Sequence, residues 1–226
     1  KQWAELSEIP RDGAPGHLWE CPFLVELPIE GSSETRWLFK VDVLSGAPGS
    51  GALYRIGRFD GQRFTPESGC LVADYGDEFY AAIGWTEPRD AKGRPTWIGW
   101  MGNHVVQKHL PLQGWRGAMS LPRRLSLRKQ ASGLRLVQEI EPACAARFSQ
   151  TESFALGEGC RPVPAVSMLE LPGDGNLQFT LTDDFGRSLA VMLDHGRVSV
   201  VRTDPITPQL NRTSDMSVAA DAPVRV

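Results

Sequence analysis

Glu20 stands between Trp19 and the pair Cys21-Pro22, at the head of an alternating run, Phe23-Leu24-Val25-Glu26-Leu27-Pro28, that reads as a strand. A carboxylic acid beside a bulky apolar wall is pushed towards its uncharged form, because desolvation disfavours charge. Such an acid keeps its proton at neutral pH and can hand it to a departing oxygen, as a general acid does. Taken alone, the same residue reads first as a half-buried strand Glu. Cys21 follows the acid and alternates to the other side of the strand, as a packing residue or a contact at a pocket edge.

Other groups give less. Asp183-Asp184 and the Glu139/Glu141 pair sit where strand ends or a domain junction explain them. His17, His104, His109 and His195 show no ligand spacing, and the four cysteines (Cys21, Cys70, Cys144, Cys160) form no C-x-x-C, so no metal site is expected. Cys144 and Cys160 suit either a disulfide in an exported protein or two free buried thiols. Asn211-Arg212-Thr213 fits a glycosylation acceptor, which matters only in a eukaryotic secretory setting.

The elements that must position Glu20 are strands. Short runs rich in Val, Leu, Ile, Trp and Phe are broken roughly every 8–12 residues by Gly, Pro, Asp and Asn, the texture of sandwiches, barrels and propellers. The pattern predicts strands over 37–44, 52–59, 79–85, 96–101, 134–140, 177–182, 189–193 and 197–202, with very little helix. Phe59-Asp60-Gly61-Gln62 reads as a hairpin turn, and Pro172–Asn176 as another. Near 138–146 the Trp-rich strands and long Gly/Pro loops give way to plainer alternating strands, so the chain is all-β with two domains possible.

With 226 residues, 41% hydrophobic and 23% charged, the chain is long enough to bury a core and has the composition of a globular protein. A net charge of -3 offers no electrostatic case for nucleic acid or an anionic membrane. No stretch approaches the ~20 apolar residues of a spanning helix.

Four later segments join Trp19-Glu20-Cys21-Pro22 in a fixed order: Phe59-Asp60-Gly61, Asp74-Tyr75-Gly76-Asp77-Glu78-Phe79-Tyr80-Ala81-Ala82, Ile98-Gly99-Trp100-Met101-Gly102-Asn103, and Gly114-Trp115-Arg116-Gly117-Ala118-Met119-Ser120-Leu121-Pro122-Arg123. Together they resemble glycoside hydrolase family 32, the β-fructosidases (invertases, levanases and inulinases), from about Trp19 to Gln138. The resemblance implies a five-bladed β-propeller followed by a β-sandwich, with its later blades at 1–140 and the first sandwich strands at 141–226. It implies Glu20 as the acid/base of a retaining hydrolysis of sucrose, levan or inulin, with no cofactor. It nominates Trp19, Cys21, Asp74, Tyr80 and Trp85 around the sugar, Asp74 to hold fructose hydroxyls or orient the acid. Trp100 reads as core. Arg116 and Arg123 read as structural partners of carboxylates, since neutral fructans offer no anion.

The family's nucleophile Asp, in an N-D-P-N-G type motif, and its Arg-Asp-Pro motif have no match here. Arg11-Asp12-Gly13 lacks the Pro and reads as a turn. The expectation is therefore a chain cut at both ends, inactive alone, from an extracellular or periplasmic enzyme of unknown oligomeric state. The Gly46–Gly51 loop resembles the exo-acting levanase and inulinase branch. A fructosyltransferase would share every motif, a non-catalytic fructan-binding remnant would keep only the fold, and a protein-binding propeller would show repeats of roughly 40 residues, which are not seen.

Overall fold

The computed structural model describes residues 2–11, 14–16, 18–43, 50–110, 112, 114–148, 157, 159–164, 166–171, 175–217 and 224–225. Asp12, Gly13, most of the 46–51 loop, most of the 172–176 turn and nearly all of the last residues lie outside them. The chain divides into two compact units, Lys1–Glu141 and Pro142–Val226.

Among its described residues the first unit holds ten strands: β1 (Trp19–Pro28), β2 (Thr35–Val43), β3 (Ala52–Phe59), β4 (Phe64–Pro66), β5 (Leu71–Val72), β6 (Tyr80–Trp85), β7 (Thr96–Met101), β8 (Ala118–Met119), β9 (Arg123–Gln130) and β10 (Gly133–Ile140). They make two antiparallel sheets. One runs β1-β2-β3-β4 with β5 against β3, the other β10-β9-β7-β6 with β8 against β7. Two expected strands, 52–59 and 96–101, have the observed ends. β9 was not anticipated, because its Arg-rich start was read as motif rather than strand.

Short connections make neighbours antiparallel. Between β3 and β4 the Asp60 carboxylate accepts the amides of Gln62 and Arg63, at 2.8 and 2.7 Å, while Gly61 takes a φ of 95°. This is an Asp-braced turn, one that the Asp-Gly pair announces. One face of each sheet is apolar, and these faces meet. Val25, Leu27, Leu38 and Ile56 from the first sheet pack with Phe79, just before β6, and with Trp97, Leu125 and Leu127 of the second. Each such side chain contributes about 1.5–3 kcal/mol by leaving water. Gly84 on β6 leaves room for Phe23 of β1: a Cβ there would lie 2.8 Å from the Phe23 ring. The other face of the first sheet carries Phe39, Val41 and Phe64, with Trp19, Trp37 and Phe59 packed against them.

The second unit holds β11 (Glu170–Leu171), β12 (Asn176–Thr182), β13 (Ser188–Asp194), β14 (Arg197–Thr203), β15 (Arg212–Ser217) and β16 (Val224–Arg225). β12-β13-β14-β15 form an antiparallel meander and β11 pairs with β16. Its core is small: Leu171, Val191, Leu193 and Val198. Helix among the described residues amounts to the short Pro142–Ala145 and two 3-10 turns, Gln107–His109 and Pro208–Leu210. All four cysteines are free; Cys144 is half-buried and Cys160 exposed, so the buried-thiol expectation fails for Cys160.

Candidate active site

β1 and β6 are edge strands of their sheets, and each carries an ionisable side chain within its first two residues. Glu20 is the second residue of β1 and Tyr80 the first of β6. The Tyr80 hydroxyl donates to Glu20 Oε2 at 2.6 Å. Burial, followed by the neighbouring Glu20 carboxylate that accepts its proton, holds this hydroxyl protonated far above the ordinary tyrosine range.

Both strands lose their alternation just after these residues. The register slips between Glu20 and Phe23 and again between Tyr80 and Ile83. Within the slips Cys21 and Ala81 take φ of 47° and 52°, the left-handed region that non-glycine residues visit at a cost of about 1 kcal/mol or more. An extra residue in one strand re-aims the side chains before it. Here it lets Glu20 share a face with Phe23, Val25 and Leu27, so a polar strand head continues an apolar core face.

On that face, across β2, stand Lys40 and Asp42, both 0% exposed. Asp42 is the register partner of Glu20. The Lys40 ammonium donates to Asp42 Oδ2 and, at 2.9 Å, to the Ala82 carbonyl. Burial raises the Asp42 carboxyl to about 6, with Lys40 and the Ala81 amide opposing and Glu20 adding slightly. Burial likewise lowers Lys40 despite Asp42 beside it.

Rings complete the surroundings. Tyr80 meets His104 and Trp100 edge-on, at centroid distances of 5.2 and 6.5 Å. Gly102 leaves room for Trp100, whose ring would lie 2.5 Å from a Cβ there. Trp100 is thus half-buried beside the site rather than in the core, and His104 is exposed against it.

The residues nominated by sequence divide. Glu20 and Tyr80 come together. Cys21 does not alternate away: its bulge brings the thiol near Asp42, Lys40 and Glu20, and burial, then Asp42, push it upward. Trp19 is no wall beside the acid. It pairs with Val43 and packs against Phe39 on the opposite face of the sheet, under the Arg11 guanidinium. Asp74 gives its carboxylate to the Gly76 amide at 2.9 Å and to Arg123 at 2.8 Å; among the described residues it bonds neither Glu20 nor Tyr80. Arg123 also lies over the Phe79 ring and donates to Gln138, so Asp74 helps join one sheet to the next. Trp85 ends β6, five residues from Tyr80 and 55% exposed. A strand of that length puts it roughly 17 Å away. His17 is outside the described residues.

Lys40 and Asp42 escaped the sequence reading, although a signal existed: alternation in β2 puts both on the face of the buried Leu38. His104 had none beyond following the 98–103 motif directly. Among the described residues no group of His, Cys, Asp or Glu could hold a metal ion.

Comparison with known proteins bears on the family and the fold. The model of the glycosyl hydrolases family 32 N-terminal domain matches residues 1–139. A levanase of Bacillus subtilis (strain 168) is 41% identical over 145 residues, covering 61% of this chain and 21% of that protein. An extracellular exo-inulinase of Aspergillus awamori is 35% identical over 155 residues, 63% of this chain and 28% of the relative. The chain thus spans less than a third of these relatives. Among solved structures, the A. awamori exo-inulinase aligns over 92% of this chain and 47% of its own, with a TM-score of 0.73 at 23% identity. A β-fructofuranosidase of Schwanniomyces occidentalis, complexed with fructosyl-erythritol, aligns over 90% of this chain and 46% of its own, with a TM-score of 0.63 at 18% identity. These likenesses speak for the fold alone: nearly all β, of the propeller-and-sandwich kind. The ordered motifs, the paired strand heads and the match over 1–139 together make this chain a member of glycosyl hydrolase family 32.

Proposed function

We propose that this chain carries the acid/base side of a retaining β-fructosidase that acts on sucrose or on levan- or inulin-type fructans. The observation that carries the reading is the hydrogen bond from Tyr80 to Glu20 at the heads of two facing edge strands. Tyr80 occupies Oε2, which leaves Oε1 to carry a proton to the glycosidic oxygen. In the first step Glu20 protonates the departing oxygen while a nucleophilic carboxylate attacks the anomeric carbon. In the second it takes a proton from the water that releases fructose. The nucleophile, an Asp by family resemblance, lies outside this chain, so 1–140 serve as later propeller blades and 141–226 as opening sandwich strands. Site aromatics such as Trp100 offer apolar faces suited to sugar C–H groups. Export to the cell exterior or periplasm fits the extracellular naming of the exo-inulinase relative.

The test is Glu20→Ala in the enzyme that contains this chain together with its nucleophile. Activity on sucrose should fall about 10²–10⁴-fold. Activity on a fructoside whose leaving group needs no protonation should fall far less. Equal losses on both substrates would make Glu20 a structural residue and end the proposal.

A further inference from the structure

Next to Glu20 lies a buried ion pair for which the reaction has no use. Lys40 and Asp42 point from β2 into the space between the two sheets, wholly out of water. Asp42 faces Glu20 directly across the strand pair, which sets their Cβ atoms about 4.5–5.5 Å apart. Its Oδ1 is buried and makes no hydrogen bond among the described residues. Glu20 and Cys21 on β1, Lys40 on β2 and Tyr80 on β6 are the titratable groups around it.

As packing, this arrangement is poor. Apolar residues of similar volume hold such a space as well or better, and an unpaired buried oxygen weakens it further. What an apolar pair could not do is fix a position. Lys40 bridges Asp42 to the carbonyl of Ala82, the residue after the bulged Ala81. It therefore ties the bulge behind Tyr80 to the strand position opposite Glu20. The geometry points to Lys40 and Asp42 as positioning residues of the acid/base group: the pair sets the offset between the two bulged strand heads, so that the Tyr80 hydroxyl reaches Glu20, and Asp42 presents an acceptor to the same face. Neither touches the sugar. The inference rests on Glu20 being the acid.

The experiment uses the complete enzyme with Lys40→Met, Asp42→Asn, the double variant Lys40→Met/Asp42→Leu, and Glu20→Gln alongside. Each is assayed on sucrose and on an aryl β-fructofuranoside with a good leaving group, and its thermal unfolding is recorded. The double variant should melt no lower than the parent and keep its aryl activity, yet lose about 10- to 100-fold on sucrose, the size expected when an acid is misplaced. Parental activity on both substrates, or equal loss on both, would overturn the positioning role and leave the pair as packing. If the double variant does not fold, Asp42→Asn, which keeps the side-chain shape, decides by the same ratio. Glu20→Gln separates the two claims. Selective loss there without selective loss in the pair variants sinks only this inference; non-selective loss in Glu20→Gln sinks the acid reading and this one with it.

Discussion

Asp42 and Asp90 are both paired with a cation, and their environments drive them in opposite directions. Asp42 is wholly buried, with one ammonium and the Ala81 amide beside it and an Oδ1 that makes no hydrogen bond among the described residues; burial wins and the carboxyl rises to about 6. At Asp90 burial also raises the carboxyl, but more donors outweigh it. The Arg94 and Lys92 amides reach Oδ1 at 2.8 and 3.0 Å, and Arg94 and Arg124 reach Oδ2 at 2.8 and 2.9 Å, bringing the carboxyl down to about 2. Arg124 also grips Glu141 with two bonds of 2.6 Å. The number of well-placed donors, rather than the presence of a countercharge, decides the sign. The Asp90 cluster fastens the loop before β7 to β9 and to Glu141, just past the end of β10. The Asp42 pair holds a strained, desolvated corner where Glu20 and Tyr80 meet.

The difference can be broken most severely at Lys40. Lys40→Met leaves Asp42 buried without a cation, and chemical denaturation should show a loss of about 3–5 kcal/mol. The pH dependence should sharpen the contrast next. Asp42 has a folded pKa near 6, above its unfolded 3.8, so the proton it retains favours the fold at low pH. That contribution is lost as pH rises through about 4 to 6, by on the order of 3 kcal/mol. Asp42→Asn should flatten this part of a stability–pH curve. Asp90 does the reverse. Its folded value near 2 lies below 3.8, so its contribution is present above about 4 and lost as pH falls towards 2. It amounts to on the order of 2 kcal/mol, and Asp90→Asn should remove that acid-side loss. The smallest effect belongs to the partly exposed guanidinium. Arg124→Met should cost about 1 kcal/mol, and added salt should shrink the difference. A loss at Arg124 as large as at Lys40 would erase the distinction between the two regions. At the site itself, Tyr80→Phe should cost about 1 kcal/mol of stability while weakening activity on sucrose more than on activated substrates.

Much of this was readable from local pattern. Period-two runs located most strands, Asp60-Gly61 marked its turn, and the motif order named the family, because such signals lie within a few residues of each other. Reading failed where a side chain's direction depends on something distant. Trp19 adjoins Glu20 in sequence, but in a strand adjacent residues face opposite ways. Cys21 should have faced away for the same reason, and a bulge turned it back. Asp74 looked free for a sugar until Arg123, forty-nine positions on, took it.

Local pattern already held the strand texture, the family and Glu20 as the acid candidate, since alternation and motif order are properties of neighbours along the chain. Tertiary structure alone decided what stands next to that acid. Tyr80 comes from sixty residues away, and Lys40 and Asp42 from another strand. Their meeting depends on two register slips that no local propensity encodes, because a bulge is stabilised by the partners it brings together rather than by the residue that makes it.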